Sequence, residues 1–439
     1  MAHPNLLSDH PQKLFFHYLL PSIGATLVSS IYILADTVMI GRGIGADALA
    51  ALNLVLPVFA VFFSTGMLFG VGGGVMMSVA MGSGDKEKAR RYFSTALLFC
   101  LCALAALFLI FTLFFENIAY ALGCDDSSIV LVRQYGYPIV WCCPVFTLSS
   151  FLQAFVRNDR APRRAMLGVL CGGVTNIVLD YLFIYPLGLG MAGAAWATVA
   201  GNGVTVLILL SHFLSKQNSM RFSLHSVTPA LLRDVAGCGV SSFLTDIANG
   251  VVIFLFNLQL LSYIGSLGVV VYSIISNSAL IAMSVFNGVS QAAQPIMAAN
   301  FGAKSRERVL AVRRLGLITV ICAGAALCLV GMAWPELLIN AFVEPTNDIY
   351  TLGVVAIRIY FTAFLLMNLN IFFSNYFQAI VRPRSAFAVC VLRGLVLCAA
   401  FVFLLPAMVG PVGIWLSVPL TEAVTLGVSL ILLKKARPA

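Results

Sequence analysis

The stretch Tyr32–Pro57, YILADTVMIGRGIGADALAALNLVLP, decides the fold. It starts as an apolar run, carries one acid, Asp36, passes Gly41-Arg-Gly43, and enters a second apolar run that continues past residue 80. A charge well inside a bilayer costs roughly 3 kcal/mol or more, so an acid in such a run faces a polar interior and marks an ion or substrate path. The Gly-Arg-Gly segment is expected to close the first helix. The whole stretch then reads as the end of one membrane span, a short outer turn and the start of the next.

The same alternation continues in both directions. The chain has 439 residues, of which 60% are hydrophobic and only 10% charged, against about 25% charged in soluble domains. Apolar runs of about 20 residues, each able to cross a hydrocarbon core of about 30 Å, recur along its length. Their buried backbone groups must be satisfied within each segment, which makes them helices. Twelve spans are expected, roughly 14–40, 49–81, 92–114, 128–150, 165–186, 193–214, 236–263, 268–300, 313–334, 350–380, 385–407 and 412–433.

Charge sets the orientation. The first dozen residues, MAHPNLLSDHPQ, lack the basic region and small-residue cleavage site of a secretory leader. With the N-terminus inside, 22 of the 26 Lys and Arg fall on inner segments, including Gly82–Arg91, Arg157–Arg164, Gly302–Arg314 and the tail Lys434–Arg437. Both termini are therefore expected in the cytoplasm of a plasma-membrane protein. The net charge of +9 encodes topology, not nucleic-acid binding.

The chain is a duplication. Leu131-Val-Arg-Gln-Tyr135 recurs as Ala356-Ile-Arg-Ile-Tyr360, and Gln153-Ala-Phe-Val-Arg157 as Gln378-Ala-Ile-Val-Arg382, both displaced by 225 residues. Gly70–Arg90 aligns in the same way with Gly288–Arg308. Six spans per copy give both halves one membrane orientation. The expected fold is all-α, with two six-helix bundles related by a pseudo-two-fold axis along the membrane normal and a substrate path between them, as in parallel-repeat transporters. The expected boundaries are 1–214 for the N-terminal bundle, 215–235 for a cytoplasmic linker and 236–439 for the C-terminal bundle.

Four acids lie within spans: Asp36, Asp180, Asp246 and Glu422. Asn176 and Asp180 are one helical turn apart on span 5 and share a face. Counting 1.5 Å per residue, Asp180 and Thr198 lie at similar depth, roughly 9 Å from the outer end. Asp36 is in the same outer half, so Asp36, Asn176, Asp180 and Thr198 are candidates for one cation-coupling site. Two carboxylates close together in low dielectric can hold a proton, and with Asn and Thr oxygens they can instead hold Na⁺ as a metal site. The bland alternative is that Asp36 caps a helix end and Asn176 merely holds Asp180. Pro21, on the helix of Asp36, removes a backbone hydrogen bond and is a candidate hinge. Asp246, Asn249, Asn257, Gln291 and Gln294 are candidate cavity-lining residues in the second half. Arg393 and Glu422 are expected to form an internal ion pair, mostly structural.

Several features argue against other classes. Gly70-Val-Gly-Gly-Gly74 lacks the GxxxxGK[ST] lysine and sits inside a span, where small residues let helices pack closely. The five histidines sit at inner ends or tails and none pairs with an acid deep in a span, which argues against enzymatic chemistry. Of the eleven cysteines ten lie in or beside apolar runs, consistent with free thiols and no cofactor.

Ala35-Asp-Thr-Val-Met-Ile-Gly-Arg-Gly43 with Ala48-Leu-Ala-Ala51, Asn176-Ile-Val-Leu-Asp-Tyr-Leu-Phe-Ile184, Gly193-Ala-Ala-Trp-Ala-Thr198 and the doubled six-span plan together resemble the multidrug and toxic compound extrusion (MATE) transporters. The resemblance covers essentially the whole chain. It implies a V-shaped pair of bundles exporting cationic, lipophilic compounds in exchange for H⁺ or Na⁺ by alternating access. Asp36, Asn176, Asp180 and Thr198 match the N-lobe cation site of the branch with the DNA-damage-inducible and staphylococcal-type pumps, and Pro21 matches its helix-1 proline. An acid that another branch carries in helix 7 is replaced here by Asn249, with Asp246 a turn earlier. The expected function is ion-coupled multidrug antiport by a monomer, with cationic amphiphiles and membrane lipid as partners. The alternatives are a flippase for lipids or lipid-linked precursors, and a non-transporting receptor or channel.

Overall fold

The computed structural model describes residues 5–342 and 346–436; His3 and Arg437, assigned above to the tails, lie outside them. The described residues form sixteen α-helices and no strand. The helices are α1 (Pro11–Gly43), α2 (Ala46–Gly82), α3 (Lys86–Ala121), α4 (Ile129–Trp141), α5 (Cys143–Asn158), α6 (Pro162–Ile184), α7 (Gly190–Leu210) and α8 (Leu232–Tyr263). They continue as α9 (Ser266–Gly302), α10 (Arg306–Ala333), α11 (Pro335–Phe342), α12 (Asn347–Phe361), α13 (Phe364–Ala379), α14 (Pro383–Val391), α15 (Leu397–Val409) and α16 (Val412–Lys435). A five-residue π-helical segment, Leu392–Val396, joins α14 to α15.

Ten helical stretches among the described residues are long and apolar enough to cross a membrane, and twelve if each of two bent helix pairs counts as one span. Those pairs are α4 with α5, bent by 55°, and α12 with α13, bent by 41°. They are spans 4 and 10 of the sequence reading, the two that carry the repeated Arg-x-Tyr and Gln-Ala-x-Val-Arg motifs. In the first, Pro138 lies near the end of α4 and Pro144 opens α5; a proline cannot donate the backbone bond that would carry the helix through. The second breaks without proline at Thr362-Ala363, about one turn earlier in the repeat frame.

The turn in the opening stretch differs from the expectation. Gly41-Arg-Gly43 does not close the first helix: α1 runs through it to Gly43, so Arg42 sits in the last helical turn. The connection to α2 is made by Ile44 and Gly45, and Gly45 has φ of +129°, a conformation open to glycine because it has no Cβ. Gly265, with φ of +85°, makes the equivalent turn between α8 and α9.

Two compact units result: residues 9–19 group with 244–439, and residues 1–8 with 20–243. The N-terminal unit packs α2 against α3, α4 and α5, and α7 against α4 and α5, around Phe62, Phe111, Phe146 and Ile139. Its Gly70 lies so close to α5 that a Cβ there would meet the Phe151 Cα at 2.8 Å, which accounts for the glycine-rich run as a packing surface. The C-terminal unit repeats the plan around Phe286, Phe364, Trp415 and Val402. The boundary of compactness departs from 1–214 and 236–439. The start of α1 goes with the second unit, where the Asp9 carbonyl accepts from Arg308 Nη2 at 2.5 Å. The linker and the first part of α8 go with the first.

The linker is fastened by side chains. Thr228 N donates to Thr95 Oγ1 at 3.0 Å, Tyr92 hydroxyl to Asp234 Oδ2 at 3.0 Å, and Ser219 N to Asp159 Oδ2 at 2.9 Å. Asp159 also meets His212 Nε2 at 2.8 Å, and both side chains are buried. The histidine reading missed this pair, because Asp159 lies beyond the end of α5 and the two meet only when α7 folds back. All eleven cysteines are free.

Candidate functional site

Asp36 is carried on α1, Asn176 and Asp180 on α6, and Thr198 on α7. Folding of the first unit brings these elements together. The helices α6 and α7 form an antiparallel pair that approaches closely at glycine: a Cβ on Gly201 would stand 2.8 Å from the Asn176 Cβ and 2.7 Å from the Gly172 carbonyl oxygen. Gly201 thus leaves room for Asn176. The carboxyl groups of Asp36 and Asp180 are neighbours. Asn176 lies beside Asp180.

What the cluster lacks is a counter-charge. Asp180 is 0% exposed, and neither of its oxygens has a hydrogen-bond partner; Asp36 Oδ1 and both polar atoms of Asn176 are also buried and unpartnered, although Asn176 touches Asp180. Native proteins leave few buried polar groups unsatisfied, so an acidic pair that with Asn176 carries four such oxygens is suited to taking up a proton or an ion. Two neighbouring carboxylates in dry surroundings can share a proton or a small cation. The oxygen-only donor set suits H⁺ or a hard cation such as Na⁺. Among the described residues no group of three or more His, Cys, Asp or Glu side chains converges.

Thr198 is 7% exposed and gives its own hydroxyl proton to the Ala194 carbonyl at 3.1 Å, so an oxygen lone pair stays available. It neighbours Tyr135 on α4, which lies in the field of both Asp36 and Asp180. Tyr32, one turn before Asp36 on α1, completes the surround. Both tyrosines were absent from the candidate residues, although Tyr135 closes the repeated motif Leu131–Tyr135 and that repetition was its signal. Asn176 and Tyr32 also line a small cavity of about 20 Å³ with Ser29, Gln153, Asn202 and Thr205, enough for about one water.

The second unit has its own polar cluster. Arg393, in the π-helical segment, meets Glu422 of α16 with Nε 2.5 Å from Oε1. Asn370 Nδ2 donates to the other carboxylate oxygen at 2.8 Å and to the Glu422 carbonyl at 2.9 Å, and Ser429 Oγ donates to Asn370 Oδ1 at 3.1 Å. The expected ion pair is therefore present. Of the candidate cavity residues, Asn249 lines a cavity beside this cluster. Asp246, Asn257, Gln291 and Gln294 are not part of its wall; Gln294 is buried and donates to Gln378 Oε1 at 2.6 Å, a contact between helices α9 and α13. Pro21 sits one residue past the point, between Leu19 and Leu20, where α1 passes from one compact unit to the other.

A duplicated bundle of helices long and apolar enough to cross a membrane, with buried polar clusters, defines a polytopic membrane protein. The MatE family profile matches residues 21–182 and 242–404, one match in each repeat, and the chain belongs to that family, one of transporters and not of enzymes. It is 27% identical to the multidrug export protein MepA of Staphylococcus saprophyticus over 417 residues, 94% of this chain and 91% of the relative. MepA of Staphylococcus aureus is 27% identical over 418 residues with the same coverage. Among solved structures, the outward-facing conformation of a multidrug resistance MATE family transporter of the MOP superfamily matches with a TM-score of 0.92 at 22% identity, over 99% of this chain and 98% of that one.

Proposed function

We propose that the protein is an ion-coupled multidrug antiporter that exports cationic lipophilic compounds by alternating access. The observation that carries this reading is the buried, uncompensated pair Asp36 and Asp180 with Asn176, a site that needs a cation or proton to be stable in its folded surroundings. Asp36 takes up the coupling ion, H⁺ or Na⁺, while Asp180, Asn176 and Thr198 complete its site. Loading the site cancels its negative charge and so releases a drug cation that the same charge attracts. The curated relatives named above are multidrug export proteins, which supports the substrate class. The fold works as a monomer with both termini on the cytoplasmic side of the plasma membrane, surrounded by lipid.

Pro21 hinges α1. Its ring cannot donate to the carbonyl one turn back and crowds it, so the helix bends there at low cost when Asp36 changes its charge.

The test is efflux of a cationic dye from proteoliposomes with imposed pH and Na⁺ gradients, each applied alone. Wild-type protein responds to one of them, which names the ion, and Asp36→Asn abolishes the response. Undiminished gradient-driven efflux by that variant overturns the assignment. A Pro21→Ala variant is expected to bind the ion normally and turn over more slowly; unchanged turnover removes the hinge.

A further inference from the structure

The two repeats place polar chemistry at the same address. Tyr135 and Tyr360 are repeat partners; the first touches the Asp36 cluster and the second lines the cavity beside Arg393 and Glu422. Aligning Gly193 with Gly413 brings Val204 onto Val424, Thr205 onto Thr425 and Asn202 onto Glu422, each displaced by 220 residues. The cavity of the second unit thus shares a tyrosine position with the first unit's cluster and places Glu422 where the first unit has Asn202, which lines the small cavity beside that cluster.

Its volume is about 80 Å³. Drug-sized pockets run to roughly 300 Å³ and more, so this space takes the end of a larger molecule, not a whole one. The charges lining it, Arg393 and Glu422, cancel each other, and Glu422 is held on both oxygens. The spare hydrogen-bonding capacity is that of donors. Thr421 is 2% exposed, lines the cavity, and its hydroxyl has no partner. The Tyr360 hydroxyl has none either among the described residues, and Arg393 uses only Nε of its five guanidinium N–H donors. A π-helical turn places that arginine, and such turns recur at functional sites. Apolar Met283 and Val252 complete the wall.

We propose that this cavity is a second ligand subsite, which takes a neutral hydrogen-bond acceptor, the carbonyl of an ester, amide or ketone, on the transported amphiphile. A second cation is refused because Arg393 already occupies the position of counter-ion to Glu422. An added carboxylate is refused because it brings a net charge into a site that is balanced without it. The carbonyl oxygen accepts from Arg393 Nη and from the Thr421 hydroxyl, with Tyr360 beside it.

The subsite rests on the reading of the chain as an exporter of amphiphilic cations, so the experiment separates the two. Binding of decyltrimethylammonium, decanoylcholine and a decyl carboxybetaine to the purified full-length protein is measured by titration calorimetry below their micellar concentrations, without any gradient. Decanoylcholine, which adds an ester carbonyl, is expected to bind about tenfold tighter than the plain alkyl cation, the worth of one to two buried hydrogen bonds. Thr421→Val is expected to remove about threefold or more of that advantage while leaving the alkyl cation unchanged. The neutral double replacement Arg393→Gln with Glu422→Gln, which keeps the charge balance if the single variant fails to fold, is expected to remove the rest. Equal binding of the two cations to the wild-type protein, or equal weakening of both by Thr421→Val, overturns the subsite and leaves the export reading standing. Tighter binding of the betaine than of the ester overturns the neutral-acceptor assignment. If no amphiphilic cation binds at all, the export reading itself fails.

Discussion

The two units bury carboxylates at positions that do not correspond in the repeat, and treat them in opposite ways. In the first, Asp36 and Asp180 sit together with no basic side chain beside them among the described residues, and five polar atoms of Asp36, Asp180 and Asn176 lack partners. In the second, Glu422 is tied to Arg393 at 2.5 Å and to Asn370 at 2.8 Å. A buried acid without a counter-charge is stable only when it takes up a proton or a cation, whereas one that carries its own guanidinium is balanced without either. Duplication supplied two similar frames, and the placement of one arginine separates an acid cluster without a counter-charge from one that is balanced.

The comparison can be broken from either side. The largest effect is expected at the acid pair: Asp180→Asn, like Asp36→Asn, should cut gradient-driven dye efflux by roughly fivefold to a hundredfold, the range of coupling energies between two bound ligands. Glu422→Gln should cut it much less, and an equal loss in the two units would erase the distinction. Next comes stability. Arg393→Gln leaves Glu422 buried and unpaired and is expected to cost about 3–5 kcal/mol in thermal unfolding in detergent, most of it recovered when Glu422→Gln is added. Failure of the second change to restore stability would show that the pair is not self-contained.

Smaller effects sharpen the picture of how the first site is seated. Gly201→Ala would push a Cβ to 2.8 Å from that of Asn176 and is expected to destabilise by about 1–3 kcal/mol, with slower efflux because Asn176 is displaced. Normal efflux by a destabilised Gly201→Ala protein would separate packing from the site. The smallest change concerns the linker: Ser219→Ala removes one hydroxyl from Asp159 and is expected to cost about 1 kcal/mol and to speed proteolysis between residues 215 and 231, without altering ion coupling.

The depth count along α1, α6 and α7 was enough to collect Asp36, Asn176, Asp180 and Thr198, because span ends and helical rise are fixed by the bilayer and the backbone. It could not find Tyr135, which lies on α4 of the fourth span and joins the cluster only through the packing of that helix beside the acids. Nor could it find the Asp159–His212 pair or the carbonyl-sized cavity, since these depend on which faces of several helices meet. The Gly41-Arg-Gly43 turn was misplaced by about two residues for a related reason: a glycine in a transmembrane helix is tolerated, and only a positive φ, at Gly45, marks the true break.

By itself the sequence determined the membrane class, the duplication, the run of spans and the acids that cannot be idle, because hydrophobic length and the cost of buried charge act locally along the chain. Only the tertiary structure decided which of those acids stand alone and which is neutralised. Whether a carboxylate meets an arginine or another carboxylate is settled by helix packing across tens to hundreds of residues, and in a low-dielectric interior a separation of a few ångströms changes the outcome.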